Sequence, residues 1–270
     1  MALKTFLSLQ SVKWGISVPD NPDQVIYVWF DALINYYTGA VQNGFWDDDT
    51  TIIHFIGKDN LRWHALLWPA MLEAAGIRQP DIVYSHGFIN LDGQKISKTL
   101  GNVIRPRELA EEFGADGVRY FLLKRGPLYD DVDISRAKIK EVYNADLANG
   151  IGNLVQRVAK ICENAGFDGT DQGAEQKFSA PVKKNFENFA VDKAGENILE
   201  RITAENQFIA REKLWEKSGA ELKKDLRRSV ANIRQIAFDL QPFIPTAAEE
   251  ILKRFFGKIT AGEVLFKRIK

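Results

Sequence analysis

The period of the hydrophobic pattern changes near residue 141, and this change restricts the possible folds more than any other feature of the sequence. Up to residue 125, short runs of β-branched and aromatic residues, typical of buried strands, alternate with segments of helical spacing. The predicted elements are VIYVWF (25–30), TIIHFIG (51–57), a helix at 61–76, DIVYSHGFI (81–89) and two short helices within 105–126. Because strands alternate with helices, we predict a parallel α/β sheet for this part.

After residue 141 the strand signals end and helical periodicity continues to the last residues. One helical face of 147–162 is apolar and carries Leu147, Ile151, Leu154, Val155, Val158, Ile161 and Cys162. Further helices are predicted at about 181–200, 203–217, 219–240 and 245–256, with breaks at Pro181, Pro242 and Pro245. We expect Phe243 to pack inside this part. The predicted fold class is therefore α/β plus all-α, with an antiparallel α-helical bundle in second place.

Composition excludes several classes of protein. With 270 residues, 45% of them hydrophobic, the chain predicts a packed core rather than disorder. A lone cysteine, Cys162, excludes an internal disulfide and any zinc site built from several cysteines, and it fits a reducing, cytoplasmic setting. No apolar run reaches the length of a membrane span, so we expect no membrane contact.

Charge is distributed unevenly along the chain. Formal net charge is zero, yet residues 211–270 contain 14 Lys and Arg against 8 Asp and Glu. Such a basic end either meets a polyanion or is a solvated helix face rich in lysine.

Two segments carry candidate nucleotide-binding residues. GKDNLRWH (57–64) follows a predicted strand and opens a helix. Gly57 allows close backbone approach, and Asp59 could accept hydrogen bonds from ribose hydroxyls at a strand end, where nucleotides bind in open parallel sheets. Asp59 is equally compatible with an ordinary helix N-cap.

The second segment is GQKISKTLGNVIRP (93–106), in which Lys95 and Lys98 flank a short apolar and hydroxyl pair. Turn signals on both sides predict a mobile loop. Two ammonium groups on such a loop suit a polyphosphate whose charge grows in the transition state, as when a loop closes over ATP and releases pyrophosphate. The alternative is a surface loop whose lysines serve solubility.

Several segments, in the same order, resemble the methionyl-tRNA synthetase family of class I aminoacyl-tRNA synthetases. They are VWFDALINYYT, HFIGKDNLRWHALLWPAML, VYSHGFINLDGQKISKTLGNVI and YNADLANGIGNLVQR. Within them, KISKT resembles the Lys-Met-Ser-Lys-Ser signature, with Ile96 in place of Met and Thr99 in place of the last Ser. The resemblance runs over almost the whole chain.

The resemblance implies a methionine pocket, because an aromatic-walled apolar slot suits a thioether. The matching positions are Trp29, Ala32, Leu33, Tyr36, Trp63 and His64. Leu33 stands where many members have proline, and Trp63 where some have phenylalanine. Without the resemblance, core packing would be the default interpretation of Trp29 and Trp63.

The resemblance also implies an ATP site and its reaction. The matching positions are Gly57 and Asp59 for ribose, His86, Gly87 and Ile89 beside adenine, and Lys95 and Lys98 for the phosphates, Lys98 with the stronger case. The methionine carboxylate would attack the α-phosphate of ATP bound with Mg²⁺, giving methionyl-adenylate. A 3′-terminal hydroxyl of methionine tRNA would then accept the acyl group.

For the helical half the resemblance implies anticodon binding. Asn153 and Arg157 are four residues apart and share a helix face away from the apolar stripe. Trp215, in REKLWEKSG, matches a tryptophan on which an anticodon base stacks. Trp215 alone would be a core tryptophan by default, but its charged neighbours argue against this.

The same resemblance divides the chain into three domains. Residues 1–91 would be the C-terminal part of a Rossmann-like catalytic domain, 92–142 a lysine-loop connecting unit, and 143–270 the anticodon-binding bundle. None of His54, His64 and His86 lies in the family's His-Ile-Gly-His motif. The chain therefore resembles the C-terminal half of such an enzyme, without zinc, whose further partner would be the missing N-terminal half. Alone, we expect it to form adenylate at no useful rate.

Two other functions stay open at this point. One is a non-catalytic tRNA-binding module that uses the helical bundle. The other is a class I synthetase for another amino acid, such as leucine or valine, against which the aromatic pocket residues and Trp215 argue.

Overall fold

A computed structural model describes residues 14–19, 21–91, 93–96, 104–170 and 177–270. The chain divides into two compact units, Met1–Gly87 and Phe88–Lys270. Among the described residues, buried apolar side chains form one cluster in the first unit and two in the second. Each unit thus has a hydrophobic core of its own.

A two-stranded parallel sheet organises the first unit. Its elements are β1 (Ser17–Val18), β2 (Asn21–Val25), α1 (Val28–Ala32), α2 (Ile34–Val41), β3 (Ile53–Gly57), a π-helical segment (Trp63–Leu67) that continues as α3 (Trp68–Ala75), and β4 (Ile82–His86). Strands β3 and β4 run parallel, with Ile53 opposite Ile82 and Gly57 opposite His86. This pair confirms the predicted strand–helix–strand unit.

The strand predicted at 25–30 is wrong. Strand β2 ends at Val25, and helix α1 begins at Val28. An apolar run without polar alternation fits a helix as well as a strand, so its period could not decide between them. The helical path continues through α2 and brings Trp29 and Tyr36 to the same side of the chain, against the core of the first unit.

The second unit begins with a small mixed sheet covered by helices. Its elements are β5 (Ile89–Leu91), β6 (Gln94–Lys95), α4 (Pro106–Phe113), α5 (Ala115–Arg125), β7 (Val132–Ile134) and α6 (Arg136–Val142). Strand β5 is central, antiparallel to β6 and parallel to β7. Buried Phe113, Phe121 and Ile139 form the core between these elements. The two helices predicted within 105–126 are confirmed.

Helices make up the rest of the second unit. They are a π-helical segment (Tyr143–Gly152), α7 (Asn153–Ala165), α8 (Ala180–Glu187), α9 (Val191–Glu212), α10 (Gly219–Leu240) and α11 (Pro245–Arg254). The apolar stripe predicted for 147–162 is buried apart from the partly buried Ile161, and Phe243 is fully buried just before α11. None of the helices in the described residues has both the length and the apolar character needed to traverse a membrane.

The helix break predicted near residue 201 is wrong. The chain breaks instead at 188–190, where Phe189 adopts φ 56°, and α9 then runs unbroken to Glu212. A left-handed residue ends a helix, but phenylalanine rarely adopts that conformation, so this break could not be predicted from residue type.

A partly buried ion pair fixes the second π-helical segment to α5. The ammonium of Lys124 lies 2.5 Å from the Asp146 carboxylate, which also accepts a hydrogen bond from the Tyr120 hydroxyl at 3.2 Å. Burial and this carboxylate both raise the pKa of Tyr120, so its hydroxyl keeps its proton. The segment that leads into α7 is therefore tied to its neighbour by charge as well as by packing.

Candidate functional site

An aromatic cluster lies in the first unit, around His64. The indole rings of Trp29 and Trp63 stack with centroids 5.9 Å apart and planes inclined by 15°. Trp29 also meets the His64 ring edge-on at 5.8 Å. Helix α1 supplies Trp29, and the first π-helical segment supplies both Trp63 and His64.

A chain of hydrogen bonds orients the polar groups of this aromatic cluster. His64 Nδ1 lies 2.9 Å from the carbonyl oxygen of Asn60, and Nε2 lies 3.0 Å from the Tyr36 hydroxyl. Because a carbonyl can only accept, Nδ1 carries the proton, and in the neutral imidazole Nε2 accepts from Tyr36. The Tyr36 oxygen therefore keeps lone pairs available on an otherwise aromatic wall.

His54 and Trp68 belong to the same aromatic cluster, although the sequence did not identify them as members of it. The His54 ring lies 4.5 Å from that of Tyr36 and 5.7 Å from that of His64. Burial, and then the electrostatic effect of nearby His64, lower the pKa of His54. His54 Nε2 and Trp68 Nε1 are buried without a hydrogen-bond partner in the described residues. Alternation along β3 could have identified His54, because buried Ile56 lies two residues further on.

The structure brings together most of the residues predicted to line a methionine pocket. Trp29, Tyr36, Trp63 and His64 converge, as described above. Leu33 is fully buried against Trp68 and Leu72, so it supports the wall from behind. Ala32 is half-buried at the end of α1, beside this group in sequence. The result is an aromatic cluster with one oriented hydroxyl.

A second group lies at the carboxyl ends of the parallel strands. Gly57 ends β3 opposite His86, which ends β4. A Cβ at Gly57 would lie 2.8 Å from Asp59 Oδ1, so any side chain there would displace that carboxylate. The turn Lys58–Asn60 has Gly57 as its N-cap residue and no side-chain cap, so the exposed Asp59 is not an N-cap.

The remaining predicted nucleotide-binding residues have different placements. Exposed His86 donates from Nδ1 to the carbonyl of buried Gly87 at 2.9 Å. Ile89 begins β5 and Lys95 ends β6, both in the second unit. Lys98 lies outside the described residues.

In the second unit, two of the residues predicted to read an anticodon meet. The Arg157 guanidinium lies over the Trp215 ring, 5.9 Å from its centroid. Trp215 is 54% exposed, in the turn between α9 and α10, so it is not a core tryptophan. Exposed Asn153 begins α7, one helical turn before Arg157.

Asn206 is a member of this group that sequence reasoning missed. Its Oδ1 accepts from the Arg157 guanidinium at 3.3 Å, while its Nδ2 donates to the Ile202 carbonyl at 3.2 Å. Asn206 thus holds the guanidinium from α9. No spacing in the sequence indicates this contact, because it joins two helices.

Candidate metal ligands are scattered over the part of the chain that the structure describes. Within it, no three His, Cys, Asp or Glu side chains are grouped so that they could hold a metal ion. Burial raises the pKa of the Cys162 thiol to about 12, so this thiol is neither a ready ligand nor a nucleophile.

Comparison with known proteins gives a consistent set of similarities. Residues 3–159 match a family model described as tRNA synthetases class I (M). A methionine–tRNA ligase of Nostoc sp. is 35% identical over 93% of this chain and 52% of its own length. The chloroplastic/mitochondrial methionine–tRNA ligase of Arabidopsis thaliana is 37% identical over 98% of this chain and 48% of its own length. The chain thus spans about half the length of the curated relatives it matches.

A solved structure is similar as well. The crystal structure of Mycobacterium tuberculosis methionyl-tRNA synthetase bound by methionyl-adenylate superposes with a TM-score of 0.77 at 32% sequence identity. The match covers 97% of this chain and 60% of that one. The mixed α/β and helical architecture described above is therefore shared with that protein.

Proposed function

Because this chain belongs to the class I tRNA synthetases (M), we propose that it provides the C-terminal half of a methionine–tRNA ligase. The reaction joins methionine to ATP, giving methionyl-adenylate and pyrophosphate, and then transfers methionine to tRNA. The observation that carries the proposal is the convergence of Trp29, Tyr36, Trp63 and His64 in one pocket.

Methionine fits this pocket by its chemistry. A thioether is soft and polarizable and gains from contact with aromatic rings, which the stacked Trp29 and Trp63 provide. The Tyr36 hydroxyl already donates its proton to His64, so its lone pairs remain available to the ligand. The edge of the Tyr36 ring is available as well. Ala32 is small enough to leave room, and Leu33 backs the wall.

For ATP we propose roles residue by residue. Gly57 and Asp59 bind the ribose, since Gly57 leaves space for the Asp59 carboxylate to point outward. His86, Gly87 and Ile89 lie beside the adenine. Lys95 and Lys98 stabilise the charge that develops on the α-phosphate and the leaving pyrophosphate. ATP would carry Mg²⁺, which would neutralise part of its charge.

The helical part reads the anticodon of methionine tRNA in this proposal. Trp215 offers an exposed indole face on which an unpaired base can stack, and Arg157 and Asn153 offer hydrogen-bond donors to base edges. This division assigns residues 143–270 to an antiparallel anticodon-binding bundle, 92–142 to the lysine-loop unit and 1–91 to the Rossmann-like part, in a cytoplasmic protein.

A further proposed partner is the polypeptide that corresponds to the rest of the relatives' length. The first unit exposes an apolar groove of about 890 Å³ along α2 and the helix that contains α3. Three of its side chains are well exposed for their type, Leu66 at 67%, Phe30 at 41% and Ile34 at 40%. A second half that packed there would bury this surface, because large exposed apolar patches mark interaction sites.

Binding to tRNA tests the anticodon proposal directly. Fluorescence anisotropy at fixed salt would compare a methionine tRNA with one of changed anticodon, because salt sets the non-specific background. We expect preference for the CAU anticodon, lost in Trp215→Ala and kept in Phe256→Ala, which removes another exposed aromatic with a guanidinium nearby. If neither the anticodon nor Trp215 matters, the bundle does not read the anticodon.

Adenylate formation tests the division of the enzyme into halves. We expect this chain alone to show no useful ATP–pyrophosphate exchange, and to gain it when the other half of a relative is supplied. Exchange by the chain alone at the rate of a full-length relative would contradict this.

A further inference from the structure

The turn that carries Trp215 is short and joins two long helices. It runs from Lys213, which adopts φ 48°, to Ser218, the N-cap residue of α10. Leu214 is fully buried, whereas the next residue, Trp215, is 54% exposed. The residue before Trp215 is therefore anchored in the core. The residues after Trp215 then decide how firmly its ring is held in place.

Lys217 holds the part of the turn that follows Trp215. Its ammonium lies 2.7 Å from Asp225, 3.0 Å from Glu221 and 3.1 Å from Glu212. Glu212 is the last residue of α9, whereas Glu221 and Asp225 belong to the first two turns of α10. One cation thus ties together the ends of both helices that flank the turn.

This arrangement differs from an ordinary surface ion pair. The Lys217 side chain is 17% exposed and the Asp225 side chain 15%, whereas Lys253 and Glu249 on α11 are both well exposed. Solvent-exposed ion pairs contribute little to the stability of a protein. Here, removal of the cation would leave several carboxylates facing one another across the turn, so the turn would open. The three carboxylates also raise the pKa of Lys217 well above its usual range, so it stays charged.

We infer that Lys217 is a positioning residue for Trp215, which it holds over Arg157 before RNA arrives. The inference rests on the proposed function of Trp215 in anticodon reading. A stacking side chain that is already ordered loses less conformational entropy on binding, and affinity rises accordingly. Lys217 itself need not touch the RNA.

The test compares charge with position. Anisotropy with the full chain would use a methionine tRNA transcript and the same transcript with a changed anticodon. We expect Lys217→Met to weaken binding of the CAU transcript about tenfold and to leave the changed transcript nearly unaffected. Lys217→Arg should restore most of the affinity, because a guanidinium can also bridge the carboxylates. Lys253→Met, which removes an exposed cation elsewhere, should change both transcripts equally and slightly.

A double-mutant cycle shows whether Lys217 acts through Trp215. We expect Lys217→Met to cost nothing further once Trp215→Ala is present. If Lys217→Met weakens both transcripts equally, or adds fully to Trp215→Ala, Lys217 is only a positive charge near RNA and the inference is wrong. If Trp215→Ala leaves the anticodon preference intact, the proposed function fails instead.

Asp225→Asn provides a second route if Lys217→Met unfolds the chain. It removes the charge of the closest carboxylate and leaves Lys217 in place. We expect the same selective loss for the CAU transcript, smaller in size, and an unchanged CAU affinity would also overturn the inference.

Discussion

The hydroxyl of Tyr36 and Nε2 of His64 lie 3.0 Å apart, although 28 positions separate the two residues in the sequence. This hydrogen bond joins α2 to the first π-helical segment, and the second ring nitrogen of His64 is already occupied by the Asn60 carbonyl. Both polar groups of the aromatic cluster therefore have a fixed direction. The cluster presents one oriented hydroxyl among aromatic rings.

Removal of that hydroxyl should destabilise the first unit. In Tyr36→Phe, Nε2 of the buried His64 loses its partner, and we expect the free energy of unfolding to fall by about 1–2 kcal/mol. Urea denaturation of the whole chain would measure it. Tyr37→Phe is the matched control, because that ring packs edge-on against Trp46. Equal losses in the two variants would show that the hydrogen bond contributes nothing specific.

Acid should destabilise the same unit through His54. Because burial lowers the pKa of His54 in the folded state, the unfolded chain takes up this proton first as the pH falls below about 6.5. The free energy of unfolding therefore decreases from there down to the folded-state pKa, and His54 adds no further loss below it.

The variant His54→Gln isolates this effect. Urea midpoints at about pH 7 and about pH 5 should differ less in His54→Gln than in the wild type, because glutamine does not titrate. His86→Gln, which changes an exposed histidine at the end of β4, should keep the wild-type difference. The idea fails if His54→Gln loses as much stability on acidification as the wild type.

Two glycines of the second π-helical segment should respond in opposite ways to alanine. A Cβ at Gly152 would lie 2.8 Å from the Leu147 carbonyl oxygen, whereas one at Gly150 would lie 3.5 Å from that of Ala145. We expect Gly152→Ala to destabilise the chain by about 1–3 kcal/mol. Gly150→Ala should be neutral or stabilising by up to about 1 kcal/mol, because alanine favours a helix. Thermal and urea unfolding would measure the stability of both variants. Similar effects would show that a Cβ at Gly152 does not clash with the Leu147 carbonyl oxygen.

The contact of Arg157 with Trp215 should need a planar guanidinium. Arg157→Lys keeps the charge but loses the planar guanidinium that lies over the Trp215 ring and its hydrogen bond to Asn206. We expect tRNA with the CAU anticodon to bind about tenfold more weakly, as for the loss of roughly 1.4 kcal/mol. Arg211→Lys, which changes an exposed guanidinium near Phe208, should leave the anticodon preference unchanged. If both variants behave alike, only charge matters at residue 157.

Periodicity predicted the parts of this molecule that a single helix or strand determines by itself. The apolar stripe from Leu147 to Cys162 is buried because its spacing follows one helix face, and β3 lies where a short β-branched run ends at Gly57. The exposure of Trp215 followed from its charged neighbours. Each of these properties is local, so the sequence nearby was enough.

Properties that depend on contacts between residues far apart along the chain could not be predicted from the sequence. Helix α1 could not be told from a strand, because an apolar run without polar alternation has no distinguishing period. The left-handed Phe189 and the π-helical segments have no signal in residue type. The hydrogen bond between Tyr36 and His64, and Asn206 as the partner of Arg157, could not be predicted, because each contact joins elements far apart along the chain.

The π-helical segment Tyr143–Gly152 sets the rotational phase of everything that follows it in α7. A π-helix holds more residues per turn than an α-helix, so the segment acts as a built-in insertion. Deletion of one residue there would turn Arg157 by about 100° around the helix axis, away from Trp215, without changing its side chain. The length of this segment, more than its composition, keeps Arg157 aligned with Trp215.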